Sequence, residues 1–146
     1  MITTDLHKAV ETLNKNELVA IPTETVYGLA ANANDDEALR KIYALKNRPF
    51  YNPLILHISS LKKLATIAAE IPAAALKLAE AFWPGPLTLV LKKQPGISNV
   101  VTSGSIPNLP IKLTLFLKFF MLYILKFELI HYRLLQCQID NAKIAA

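Results

Sequence analysis

The chain has 146 residues, enough for one domain with a hydrophobic core, and 53% of them are hydrophobic, which argues against intrinsic disorder. The net charge of +5 mildly favours anionic partners such as nucleotides, phosphates or RNA, although a solvated basic surface explains it equally well. The single cysteine, Cys137, excludes a disulfide framework and a cysteine-rich metal site, and the three histidines lack zinc-ligand spacing.

Hydrophobic periodicity predicts helices that alternate with short strands over the first two-thirds of the chain. The predicted elements, in chain order, are a helix with Leu6, Ala9, Val10 and Leu13 on one face and Thr4 as its N-cap, a strand at 18–21, a helix capped by Asp35, a strand at 53–58, a helix capped by Ser60, a helix opened by Pro72 and a strand at 87–91. Such alternation is typical of an α/β domain.

Composition changes abruptly near residue 105. All four glycines and all nine prolines lie at or before Pro110, whereas the rest of the chain is rich in Leu, Phe, Ile and Lys. We therefore divide the chain into a domain at 1–110 and a divergent apolar and basic tail at 111–146. The longest charge-free run of the tail, Phe119 to Leu125, is far shorter than the about 20 residues of a membrane span, so no membrane association is expected. Without an apolar signal-peptide stretch at the N-terminus, a cytoplasmic protein is expected.

The first polar cluster follows the predicted strand at 18–21 and reads PTETVYGL. Thr23, Thr25 and Tyr27 supply two aliphatic hydroxyls and a phenol there. Polar groups at the end of a strand in an α/β sheet point towards the usual ligand crevice. A polar turn whose threonines satisfy nearby backbone groups explains the segment equally well, so both interpretations stay open.

The second cluster reads KNRP, followed by NPLILH. Lys46 and Arg48 come at the end of a predicted helix, where cations complement the helix dipole. Alternatively, both side chains converge on phosphate or carboxylate oxygens, the arginine as a fork and the lysine as a point charge. His57 ends the next predicted strand, and a lone histidine in that position is more often a hydrogen-bonded core residue than a ligand-binding group.

The third cluster reads WPGPLT. Its prolines and glycine predict a rigid turn that leads into a strand, with Trp83 in the core. Thr88 is the polar side chain of this strand that could face a ligand. The common Walker A, GxGxxG and HExxH motifs do not occur. Any bound nucleotide must therefore be held by another architecture.

Taken together, PTETVYGLA, KNRPFYNPLILHI and WPGPLTLVL, in this order, resemble the YrdC-like family of L-threonylcarbamoyladenylate synthases. The similarity runs through Gly104. The resemblance implies a twisted open mixed α/β sheet with flanking helices, incomplete at its C-terminal end. It also implies a nucleotidyltransferase-type enzyme that makes threonylcarbamoyl-AMP from L-threonine, bicarbonate and ATP, with Mg²⁺ accompanying ATP. The product would serve tRNA modification through downstream tRNA threonylcarbamoyl transferase proteins.

The resemblance also implies roles for individual residues. Lys46 and Arg48 match the family's KxR pair and are the predicted catalytic residues, in contact with the ATP phosphates and the carboxylated threonine. The implied substrate-binding residues are Thr23, Thr25, Tyr27, Asn52, His57 and Thr88. No protein ligand to a metal is implied. The expected chemistry is positioning and electrostatic stabilisation without a covalent nucleophile.

Beyond Gly104 the sequence departs from the family pattern. Residues 106–110, IPNLP, look like the family's PNHP turn with the preceding strand missing, and no Ser-x-Asn motif follows Ser105. We therefore expect a chain that is truncated or divergent after about residue 104. Two alternatives to a working enzyme stay open, namely a non-catalytic module that binds tRNA or double-stranded RNA, and a degenerate inactive paralogue.

Overall fold

The computed structural model describes residues 5–22, 27–102, 104, 107–112 and 134–138. Within these residues the elements are α1 (Leu6–Asn14), β1 (Val19–Pro22), β2 (Tyr27–Asn32), α2 (Asp36–Lys46), β3 (Ile55–His57), a 3₁₀ helix (Leu61–Thr66), α3 (Ala73–Phe82), β4 (Thr88–Lys92), β5 (Asn108–Lys112) and β6 (Leu134–Gln138). The predicted α/β class is confirmed. No described helix is long and apolar enough to cross a membrane.

The six described strands form one mixed sheet in the order β1-β2-β6-β3-β5-β4. Strands β3 and β5 are parallel, and the other neighbouring pairs are antiparallel. Strand β6 lies between β2 and β3 and pairs with both. Because β6 is antiparallel to each of them, β2 and β3 run in the same direction.

Two local predictions are corrected by the structure. The N-cap of α1 is Asp5, whose carboxylate accepts a hydrogen bond from the His7 N–H at 3.0 Å, whereas Thr4 lies outside the described residues. The segment predicted to be a turn at 106–110 instead leads into β5, which pairs with β3 and β4. Leu109 and Ile111 of β5 are fully buried, so apolar side chains fix this strand in the sheet despite its proline. The predicted division at residue 110 falls inside β5.

One face of the sheet packs against α2 and α3. The buried side chains that the strands contribute are Leu29, Ala31, Leu56, Leu89, Leu91, Leu109 and Ile111. Those that the two helices contribute are Ala38, Leu39, Ile42, Tyr43, Ala75 and Ala79. Burial of a large aliphatic side chain stabilises the fold by roughly 1.5–3 kcal/mol, so this layer holds both helices firmly on the sheet.

The opposite face is covered only in part by the described residues. Ala30 lies between Leu29 and Ala31, whose side chains belong to the main core, so its own side chain points to the opposite face. There it packs with Leu13 of α1 and Ile21 of β1. In β4 the exposed side chains alternate with buried leucines and therefore point to this same face. We call the surface formed by Thr88, Val90 and Lys92 the open face.

Candidate functional site

Helix α2 begins and ends where its sequence predicts. Asp35 is the N-cap, and its carboxylate accepts a hydrogen bond from the Ala38 N–H at 2.7 Å. Asn47 stops the helix in a left-handed conformation with φ of 49°. Lys46 therefore occupies the last turn, where a cation complements the helix dipole. It has no hydrogen-bond or ion-pair partner within the described part of the chain.

Arg48 is held by the turn that it precedes. Its Nε donates to the Asn52 carbonyl at 3.3 Å, and its Nη2 donates to the Pro53 carbonyl at 3.0 Å. The turn itself is closed by the Asn52 N–H, which donates to the Pro49 carbonyl at 3.1 Å. Of the five guanidinium N–H donors, two are used in this way, and three are left for an anionic ligand.

The strand register places this basic turn near the β1–β2 hairpin. Pro22 pairs with Tyr27 at the end of the hairpin, and Thr23 and Thr25 between them lie outside the described residues. Gly28 of β2 pairs with Gln138 of β6, and Ile55 of β3 pairs with Gln136 of the same strand, so Gly28 lies two residues further along β6 than Ile55. The hairpin end is thus level with Pro53, two residues before the start of β3. We call this side of the sheet, which carries Tyr27, Lys46, Arg48 and Asn52, the basic edge.

His57 and Thr88 lie at the other edge. The register aligns Thr88, Lys112, His57, Leu134 and Asn32 in one row across five strands. In β2, Asn32 of this row lies four residues beyond Gly28 at the hairpin end, which corresponds to about 13 Å of extended chain. The His57 side chain is only 1% exposed, whereas Thr88 is exposed on the open face. A ligand that reaches from the basic edge to this row must therefore extend along the strands.

Two other described lysines are paired with carboxylates. Lys41 contacts Glu17 and Lys92 contacts Glu70, each at 2.8 Å between nitrogen and carboxylate oxygen. The hydrogen bond to Glu17 raises the pKa of Lys41, and the hydrogen bond to Glu70 raises the pKa of Lys92. Unlike these two lysines, Lys46 retains a charge that no described carboxylate offsets.

The described residues contain no group of three or more His, Cys, Asp or Glu side chains that could hold a metal. Mg²⁺ commonly binds through phosphate oxygens and retained waters with few protein ligands. The Mg²⁺ ion expected to accompany ATP stays a prediction from the sequence resemblance.

Tyr43, a buried residue of α2, was not among the predicted site residues. The phenolic oxygen lies 3.0 Å from the Asn52 carbonyl oxygen and 3.3 Å from the Val100 carbonyl oxygen. A tyrosine among aliphatic neighbours was the available signal, because a buried phenol normally needs a polar partner. Its two partners are backbone carbonyls outside the helix, and Val100 lies 57 residues away, so the sequence could not identify them.

Comparison with known proteins gives a consistent result. The model for Sua5/YciO/YrdC proteins, described as telomere recombination, matches residues 11–118. Threonylcarbamoyl-AMP synthase of Pyrococcus abyssi is 53% identical over 92 residues, which cover 63% of this chain and 27% of that protein. The Bacillus subtilis protein of the same name is 48% identical over 98 residues, which cover 66% of this chain and 28% of that protein. The chain thus spans little more than a quarter of these curated relatives.

Solved structures agree with the fold. The structure of P. abyssi Sua5 complexed with L-threonine superposes with a TM-score of 0.81 and 39% identity, over 90% of this chain and 37% of that one. Escherichia coli YciO superposes with a TM-score of 0.77 over 94% of this chain and 65% of that one, but at 18% identity it supports the fold alone. The resemblance inferred from the three sequence segments is confirmed, and the chain belongs to the Sua5/YciO/YrdC family.

Proposed function

We propose that this chain forms threonylcarbamoyl-AMP from L-threonine, bicarbonate and ATP. Relatives that carry the name of this activity are up to 53% identical to it. The observation that carries the proposal is the basic edge, where Lys46 and a backbone-held Arg48 share one side of the sheet with the end of the β1–β2 hairpin. Two cations on the same side of the sheet as Tyr27 suit a ligand with phosphate and carboxylate groups.

The chemistry calls for stabilisation of negative charge more than for a nucleophilic side chain. The threonine amine adds to bicarbonate with loss of water, and the resulting carbamate oxygen attacks the α-phosphorus of ATP as the bond to pyrophosphate breaks. Lys46 and Arg48 would stabilise the charge on the phosphoryl oxygens. Mg²⁺ bound to ATP would neutralise part of the triphosphate charge. Thr23, Thr25, Tyr27 and Asn52 would line the basic edge of the pocket.

His57 and Thr88 would bind the far end of the ligand. Their row lies about 13 Å along the strands from the basic edge, so they suit a second part of an extended substrate rather than the same phosphate. The product would then be consumed by tRNA threonylcarbamoyl transferase proteins, with tRNA as the final acceptor. A chain that supplies only the synthase step needs no RNA site of its own.

The test is release of pyrophosphate by the purified chain with ATP, L-threonine and bicarbonate. The wild type should release pyrophosphate only when all three substrates are present. Lys46→Met should lower the rate by about 10²-fold or more, because it removes a charge aimed at the developing phosphoryl charge. Lys62→Met, at an exposed lysine of the 3₁₀ helix, is the matched control and should behave like the wild type.

Two results would overturn the proposal. Equal rates for Lys46→Met and the wild type would remove the proposed phosphate site, and release without threonine would indicate a different hydrolytic activity. A wild-type chain that releases no pyrophosphate but binds tRNA or double-stranded RNA, with affinity falling steeply as salt rises, would favour the non-catalytic alternative.

A further inference from the structure

Tyr43 of α2 is connected to Arg48 through two separate hydrogen-bonded routes. The backbone N–H of Arg48 donates to the Tyr43 carbonyl at 3.0 Å, as part of the C-terminal cap of the helix. The Tyr43 phenol donates to the Asn52 carbonyl, and the same carbonyl accepts from Arg48 Nε. Tyr43 therefore fixes both the backbone of Arg48 and the group that orients its side chain.

A second contact ties this arrangement to a distant part of the chain. The Tyr43 oxygen also lies 3.3 Å from the Val100 carbonyl oxygen, and the Leu54 N–H donates to the Val101 carbonyl at 3.0 Å. The Tyr43 ring packs on Phe50, with ring centroids 4.9 Å apart. Since Tyr43 is only 6% exposed, these contacts are shielded from water. A phenol hydroxyl without a hydrogen-bond partner there would destabilise the fold.

We propose that Tyr43 is a positioning residue for the Arg48 guanidinium. By holding the Asn52 carbonyl in place, it fixes the plane of the guanidinium and thereby the direction of the three remaining N–H donors. This inference rests on the proposed function for its catalytic meaning, because the ligand of those donors would be the ATP phosphates. The positioning itself is a property of the protein without ligand and is measurable separately.

The first experiment observes the arginine directly. The chain has three arginines, so the Nε–H region of a ¹H–¹⁵N spectrum should contain three signals, and Arg48→Lys identifies the one of interest. In Tyr43→Phe, which keeps the ring but removes the hydroxyl, this Nε–H should exchange with water about 2- to 10-fold faster, as expected for one weakened hydrogen bond. The matched control is Tyr51→Phe, because that hydroxyl belongs to a 75% exposed residue of the same turn.

The second experiment separates positioning from general stability. Calorimetric titration with ATP should show about 2- to 10-fold weaker binding for Tyr43→Phe than for the wild type. In the Arg48→Lys background the same change should have no effect, because no guanidinium remains to be positioned. Equal weakening in both backgrounds would indicate a merely structural role and would overturn the proposal.

The outcomes also distinguish this inference from the proposed function. If the wild type binds no ATP, the proposed function fails, while the exchange rate of the Arg48 Nε–H still decides whether Tyr43 positions it. An exchange rate in Tyr43→Phe equal to that in Tyr51→Phe would overturn the positioning role, whatever the activity of the chain.

Discussion

Replacement of Asp35 by alanine should destabilise the fold through two lost contacts. One carboxylate oxygen of Asp35 caps α2 by accepting from the Ala38 N–H, and the other accepts from Asn16 Nδ2 at 2.8 Å. Loss of an N-cap typically costs about 1 kcal/mol, and loss of a hydrogen bond to a partly exposed charged group costs about 1–2 kcal/mol. Asp35→Ala should therefore lower the free energy of unfolding by about 2–3 kcal/mol.

Urea denaturation of matched variants tests how the lost stability divides between the N-cap and the hydrogen bond to Asn16. Asp35→Asn should cost only about 1 kcal/mol, because asparagine is as good an N-cap but presents an amide where Asn16 needs an acceptor. Glu37→Gln, at an exposed residue of the same helical turn, should cost less than either Asp35 variant. If Asp35→Ala proves no more harmful than Glu37→Gln, the assigned capping contacts contribute nothing and the reasoning is refuted.

Two further substitutions test packing and surface charge. Gly85→Ala should lower the free energy of unfolding by about 1–3 kcal/mol, because an added Cβ would lie 2.4 Å from the Phe82 carbonyl oxygen. Gly96→Ala, where an added Cβ would meet nothing within 4 Å, should change the free energy of unfolding by about 0.5 kcal/mol or less. Similar urea midpoints for the two variants would contradict the predicted clash at Gly85. Glu70→Gln should have almost the same free energy of unfolding as the wild type at both low and neutral pH. The hydrogen bond to Lys92 lowers the pKa of Glu70, so any contribution of the pair is present above the usual carboxyl value of 4.5 and lost as pH falls below it, but solvent screens this exposed pair. A stability gap to the wild type that is large at neutral pH and closes as pH falls below that value would argue for a stronger pair.

Much of the fold could be predicted from local sequence. The helix α2 was accessible because an N-cap, a buried stripe and a terminal lysine all agree over Asp36–Lys46. Strand β2 was missed because its segment YGLAAN is dominated by small residues and follows a motif interpreted as a turn. Strand β5 was missed because Pro107 and Pro110 suggested a turn, whereas the deciding factor was pairing with β3 and β4 on both sides. Long-range pairing of this kind leaves no periodic signal in a short segment.

The candidate site was predictable in residue type but not in arrangement. The sequence placed Lys46 and Arg48 at the end of a helix and left open whether they complement the dipole or bind an anion. The structure adds that Arg48 is first bound to two backbone carbonyls, which no pattern of residues indicates. The separation of His57 from the basic edge likewise follows from strand register, which depends on partners far along the chain.

Strand β6 has a consequence for the order of assembly. Its residues join β2 to β3, although Gln136 and its partner Ala30 are roughly a hundred positions apart in the chain. Until that distant segment arrives, β2 and β3 each expose a row of unpaired amides, although α2 packs on β2 and its Tyr43 donates to the Asn52 carbonyl shortly before β3. Docking of β6 should thus be a slow, late step in which two preformed halves become a single cooperative unit.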